Sequence, residues 1–190
     1  MKKTPEKFLG AVFGTAIADA LSVPYETVLN VNTLRKLRIN TQEYQQIENR
    51  GAGFYSFQTE ILLTVIKSVI ETGKLKKEKL LDALLELWET EDFHQKGLST
   101  GAVLEKIIAG EKPDKALASV GKADYTPLLR GIPAGLWCYD EKLKSFVKNS
   151  ALTAEITHKD YRVIAGTVAV AAASAYLAES EPPLKTKEFL

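Results

Sequence analysis

Cysteine is almost absent: Cys138 is the single thiol in 190 residues, so neither an intrachain disulfide nor a multi-thiolate metal site can form, and a reducing cytoplasm is the expected compartment. A surplus of either charge is also missing. The 25 basic and 24 acidic residues leave a net charge of +1; with no basic stripe and no acidic tail, nucleic acid is not expected as a partner. After Lys2 and Lys3 there is no signal-peptide core with a small-residue cleavage site. The apolar run 8–18 reads as too short to span a bilayer before Asp19, so no membrane partner is expected. Strand-like alternation is scarce, and no repeat with a period of roughly 20–50 residues is visible. What remains, 45% apolar and 26% charged residues, describes one ordinary domain with enough chain to bury a core.

The apolar residues fall at helical spacing. A first helix is expected over 8–22, ended by Pro24, with Gly10, Gly14 and Ala18 forming a stripe that suits close helix packing. Residues 27–50 are polar and read either as a long loop or as a loop with a short helix at 33–38. Ser56 is placed to cap a second helix that runs through Ile61, Leu62, Val65, Ile66, Val69 and Ile70 and ends near Gly73. A third covers about 76–90 and buries leucines and Trp88. Beyond a polar break at 92–97, helices are expected at 99–109 and 113–120. A Thr126-Pro127 start then leads through Trp137 with a kink at Pro133, and further helices cover 141–156 and 159–179. Residues 180–190 read as a polar tail. The fold class is all-α, one domain over 1–190.

Three segments together resemble the ADP-ribosylglycohydrolase family, enzymes similar to dinitrogenase reductase-activating glycohydrolase. Gly10-Ala-Val-Phe-Gly-Thr-Ala-Ile-Ala-Asp-Ala-Leu-Ser-Val-Pro-Tyr-Glu26 is similar to the family's opening helix, Gly-x-x-x-Gly-x-Ala-x-Gly-Asp-Ala-Leu-Gly-x-Pro-x-Glu. Gly53-Phe-Tyr-Ser-Phe-Gln-Thr59 stands where the family has Gly-x-x-Thr-Asp-Asp-Thr. Ile156-Thr157-His158, before an alanine-rich helix, resembles the Thr-His segment. Leu129-Arg130-Gly-Ile-Pro133 is a looser match to Met-Arg-x-x-Pro. The likeness covers nearly the whole chain and implies a compact orthogonal multi-helix bundle, shortened at its C-terminus relative to the family pattern.

The resemblance implies cleavage of the glycosidic bond to ADP-ribose with two magnesium or manganese ions, held by the Thr-Asp-Asp helix start and a C-terminal Gly-Gly-Asp-x-Asp-Thr motif. Hard cations need several oxygen ligands, preferably anionic. Here Ser56 can replace the threonine hydroxyl and Thr59 is kept, but Phe57 and Gln58 stand at the aspartate positions. No Asp-x-Asp motif follows, and the aspartates at 19, 82, 92, 114, 124, 140 and 160 are dispersed. No metal ligand is therefore assigned and no cofactor is expected. Glu26 matches the family glutamate near the metal-bound water and is the catalytic candidate, against a solvent-facing residue after Pro24. Ser56, Gln58, Thr59 and His158 are the ligand-binding candidates. His158 could equally cap a helix junction, and Asp19 reads as structural, bonded to backbone N–H groups at a neighbouring helix start. His94 reads as solvated, and Cys138 as a small buried hydrophobe.

Three functions follow as expectations. The leading one is a catalytically silent relative that keeps a cleft for a small ligand resembling ADP-ribose. The second is an active ADP-ribosyl hydrolase using Glu26. The third is a structural domain whose exposed apolar surface makes a homo-oligomer.

Overall fold

A computed structural model describes residues 5–25, 43–46, 50–90, 98–120 and 123–180. Helix accounts for 75% of it, and the described residues contain no β-strand. Eight α-helices lie among these residues: α1 Pro5–Ser22, α2 Phe57–Thr72, α3 Lys77–Glu89, α4 Leu98–Ile108, α5 Pro113–Ser119, α6 Gly131–Cys138, α7 Leu143–Glu155 and α8 Tyr161–Glu179. Short 3-10 turns at Val23–Tyr25 and Leu128–Arg130 precede the second and sixth of them. Glu26, His94, most of 27–50 and the tail 181–190 fall outside the described residues.

Local chemistry sets the boundaries. Ser56 caps α2 by accepting a hydrogen bond from the Gln58 N–H, and Gly73 ends the helix at φ 65°, a left-handed conformation that a Cβ would penalise. Asp160 caps α8 in the same manner, through the Arg162 N–H. The α1 helix stops at Ser22 and tightens into a 3-10 turn that contains Pro24, a residue with no N–H to continue the ladder.

The expected kink at Pro133 is not found. The chain breaks three residues earlier: Leu128–Arg130 is a 3-10 turn, and α6 starts afresh at Gly131. That puts Pro133 in the first turn, where a missing N–H leaves no intrahelical bond unmade.

The core is built around α2. Phe57, Ile61, Val65 and Val69 recur every four residues along one face and pack with Leu80, Leu84 and Trp88 of α3, Leu104 of α4 and Ile156. A second apolar cluster joins Val103 to Ala116 and Leu117 across α4 and α5, and a third gathers Cys138, Phe146 and Ala171 from α6, α7 and α8. The closest approach is that of α6 to α8. Cβ atoms built at Gly131 and Gly135 would run into backbone oxygens of Thr167 and Ala171, so these two glycines, one turn apart, are what admit α8 to contact.

The α1 helix is packed otherwise. Of its 18 residues only Asp19 and Ala20 are buried. The alanine-rich α8 does not fill the Gly10, Gly14, Ala18 stripe: a Cβ at Gly10 or Gly14 would meet nothing within 4 Å. The length of α1 also exceeds the sequence expectation. Pro5–Tyr25 is continuous, and both it and Tyr161–Glu179 are long and apolar enough to cross a membrane by length and composition.

Candidate functional site at the start of α2

The first turn of α2 is held by a carboxylate from α1. Asp19 Oδ2 accepts the backbone N–H of Ser56 at 2.9 Å and that of Thr59 at 3.3 Å, together with the Thr59 hydroxyl at 2.6 Å. Asp19 Oδ1 accepts the Ser56 hydroxyl at 2.8 Å. All three residues are buried. A negative charge at a helix N-terminus, receiving its orphan N–H groups, is favourable both through those bonds and through the helix dipole. Asp19 therefore has the structural role its sequence setting implied, and Ser56 and Thr59 are committed to it.

Phe57 and Gln58 behave differently. The Phe57 ring turns into the core, 1% exposed, and meets Trp88 edge-on at a centroid distance of 5.3 Å and an interplanar angle of 74°. Gln58 is buried, and its side-chain oxygen has no hydrogen-bond partner among the described residues. Ahead of the helix, Gly53 turns at φ 87° against the ring of Tyr44. Phe54 and Tyr55 stack at 5.9 Å, nearly parallel, and the Arg50 guanidinium lies 4.1 Å over the Phe54 ring. A hydrogen bond with Glu60, then partial burial, raises the Tyr55 phenol above its ordinary pKa.

His158 is not part of this group. It belongs to a second buried network, centred on Arg130, whose side chain is wholly inaccessible. Arg130 Nη1 donates to the Thr153 carbonyl at 3.1 Å and the Thr157 hydroxyl at 2.8 Å, while Nη2 donates to the Thr100 hydroxyl at 3.0 Å. Thr157 Oγ1 lies 2.9 Å from His158 Nδ1, and His158 Nε2 faces Asp124 Oδ1 at 3.2 Å. Thr100 Oγ1 is 2.8 Å from Thr126 Oγ1, which donates to Asp124 Oδ1 at 2.6 Å.

Two chains of hydroxyls and imidazole thus join one buried cation to one carboxylate. With the Asp124 carboxylate facing Nε2, a neutral imidazole favours carrying its proton there, which leaves Nδ1 to accept the Thr157 hydroxyl proton. Burial works against ionisation of Asp124, but hydrogen bonds from His158, Thr126 and the Ser99 N–H outweigh it and hold the carboxyl well below the usual carboxylate range. Burial lowers Arg130 to about 10, Asp124 opposing, and the guanidinium stays charged at neutral pH. With Nδ1 on Thr157 and Nε2 facing Asp124, the His158 ring ties the segment between α7 and α8 to Asp124.

The candidates therefore divide. Ser56, Gln58 and Thr59 form one cluster with Asp19, His158 sits in another, and Glu26 lies outside the described residues. Asp124 and Thr100 were not singled out from sequence, and Thr126 was read only as a helix start, since their partners lie 25 or 26 positions away. The one available signal was a charged Arg130 inside the apolar run Pro127–Pro133. Among the described residues no three His, Cys, Asp or Glu side chains cluster closely enough to hold a metal.

The profile of the ADP-ribosylglycohydrolase family matches residues 1–190. The chain belongs to the ADP-ribosylglycohydrolase family. An uncharacterized protein of Archaeoglobus fulgidus is 26% identical over 172 residues, a match covering 90% of this chain and 55% of the archaeal one. A solved structure titled ADP-ribosylglycohydrolase-related protein complex superposes with a TM-score of 0.63 at 19% identity, covering 96% of this chain and 59% of that one. At that identity the likeness shows the fold. The chain spans little more than half the length of these relatives.

Proposed function

We propose that this member of the family is catalytically silent and lacks the dinuclear metal centre, while keeping a small-ligand surface beside α2. The observation that carries the reading is the position of Phe57. Where the family pattern has the first aspartate, the side chain is a ring packed in the hydrophobic core on Trp88. Gln58 offers only a neutral amide oxygen, and both Asp19 oxygens already accept hydrogen bonds from Ser56 and Thr59. A pair of hard cations needs several anionic oxygens free to turn toward it, and these residues do not fit such a pair.

Two features favour retained binding. The half-exposed Phe54–Tyr55 stack with Arg50 above it provides a flat, cationic-edged platform suited to a nucleobase, and the buried oxygen of Gln58, three residues on from Tyr55, has no hydrogen-bond partner among the described residues. A nucleotide-like ligand resembling ADP-ribose suits both. A cytoplasmic location belongs to the same reading, supported by a single cysteine, Cys138, that leaves no intrachain disulfide to form. The test is calorimetric titration with ADP-ribose, with and without magnesium, beside an assay for ADP-ribose release from modified arginine or serine. Magnesium-independent binding without release is expected. Turnover that disappears in Glu26→Gln would overturn the proposal in favour of an active hydrolase.

A further inference from the structure

The outer face of α1 carries two parallel rows. Leu9, Phe13 and Ile17 stand out at 54%, 62% and 47% exposure. One position along, Gly10, Gly14 and Ala18 form a shallow channel, with a cavity of about 670 Å³ between it, α6 and the end of α8. Both rows repeat every four residues, the spacing at which helix ridges fit helix grooves. A ridge and a groove on the same helix, offset by one residue, complement each other when a second copy is turned by a two-fold axis: each ridge enters the other's channel and the contact closes on itself.

We propose that this face of α1 is the self-association surface of the protein, its occupant the α1 helix of a second copy. Area and charge support that occupant. The apolar surface continues past α1, because Leu136 lines both the channel and a second apolar cavity bordered by Ile70 and Trp137. Leu9, Phe13, Ile17, Ile70, Trp137 and Leu177 are all exposed by a third or more; at roughly 100 Å² apiece they present on the order of 600 Å². Bare glycine backbone and the polar rim bring the face near the ~800 Å² per partner of a stable interface. No charged side chain occurs from Phe8 to Ala18, so the ridge and channel rows bring no charge together, and Lys7 is the one charged residue bordering the channel. The flanking charges are turned inward, Lys7 onto the Ser180 carbonyl at 2.7 Å and Asp19 onto α2. This surface is separate from the α2 start, and neither cavity is lined by Ser56, Gln58, Thr59 or His158. The inference therefore stands or falls independently of ligand binding.

Sedimentation velocity on the full chain over a micromolar to submillimolar range tests it, together with Phe13→Glu and Gly14→Leu. The first replaces the ridge by a charge and the second fills the channel. Both sites face open space in the single chain, so circular dichroism should show both folded. A wild-type dimer is expected, with dissociation raised at least ~30-fold in each variant, as for loss of a central anchor. A wild-type monomer throughout would overturn the proposal, as would a dimer indifferent to both substitutions. A monomer that sediments with phosphatidylcholine vesicles would overturn it too, assigning the apolar face to a lipid surface.

Discussion

Phe57 and Gln58 in the first turn of α2, and Asp19 reaching that turn from α1, respond to mutation in three different ways. Phe57 lies in the core against Trp88, and truncating such a ring costs about 3–5 kcal/mol. Phe57→Asp adds an unpaired buried charge to that loss. The urea midpoint of Phe57→Asp should therefore fall by at least the equivalent of ~3 kcal/mol, and Phe57→Asp with Gln58→Asp should release no ADP-ribose, since two buried carboxylates side by side would repel each other and one would take up a proton. Turnover in that double variant would show that Phe57 and Gln58 alone silence the wild-type protein. Asp19→Asn removes the charge that four donors from Ser56 and Thr59 address. Hydrogen bonds to a charged group contribute about 1.5–3 kcal/mol, so a loss of ~2 kcal/mol or more is expected by denaturant titration. Gln58→Leu should instead be neutral or stabilising, because it removes an acceptor with no partner. If Gln58 meets a ligand, the same change weakens ADP-ribose binding while the folding midpoint holds, and a variant that binds as wild type would remove Gln58 from the site.

Glycines on two helices, each pair one turn apart, make opposite demands. On α6, added methyl groups at Gly131 and Gly135 would collide with the α8 backbone. On α1, methyl groups at Gly10 and Gly14 enter open space. Gly135→Ala should accordingly destabilise by about 1–3 kcal/mol through overpacking or forced separation of the helices. In dilute protein Gly14→Ala should stabilise by up to ~1 kcal/mol, the helix-propensity difference between the two residues. Thermal melts of the two variants should move in opposite directions, and parallel shifts would mean that the two helix faces are packed alike. Sequence spacing does not separate the two cases. Gly10 with Gly14 and Gly131 with Gly135 share one period, and only the tertiary neighbour decides which pair is an intrachain contact. Elements governed by local chemistry were legible: Ser56 as cap, Gly73 as stop and the apolar face of α2 all lie within a few residues of their cause. The break before Pro133 was not, because the 3-10 turn at Leu128–Arg130 ends where Arg130 reaches across to α7 and α4.

Across the whole molecule, Asp124 and Arg130 join α4, the 3-10 turn and the α7–α8 junction through a charge pair bridged by threonines and His158. Its long-range partners explain why only Arg130, Thr157 and His158 were noticed in the sequence, and then through resemblance. The network also fixes how stability should respond to acid. Asp124 is held well below its usual range in the folded state, whereas the unfolded carboxyl titrates near the ordinary ~3.9. A depressed folded pKa means that the unfolded chain takes up the proton first. The stabilisation is fully present above about pH 5 and drains away as pH falls through ~4 toward the folded value, at up to ~1.4 kcal/mol per pH unit for one proton. Asp160 is also lowered, to about 2, by hydrogen bonds from Arg162. It sits at the surface, where solvent screens the pair, so its share of the acid sensitivity is small. Asp124→Asn should be less stable than wild type at neutral pH, having lost its charge against Arg130, yet its unfolding free energy should decline less steeply between about pH 4 and 2.5. The difference in slope should approach one proton. Urea titrations of both proteins across that range measure it, and parallel pH profiles would show that the Asp124 charge does not hold the network together.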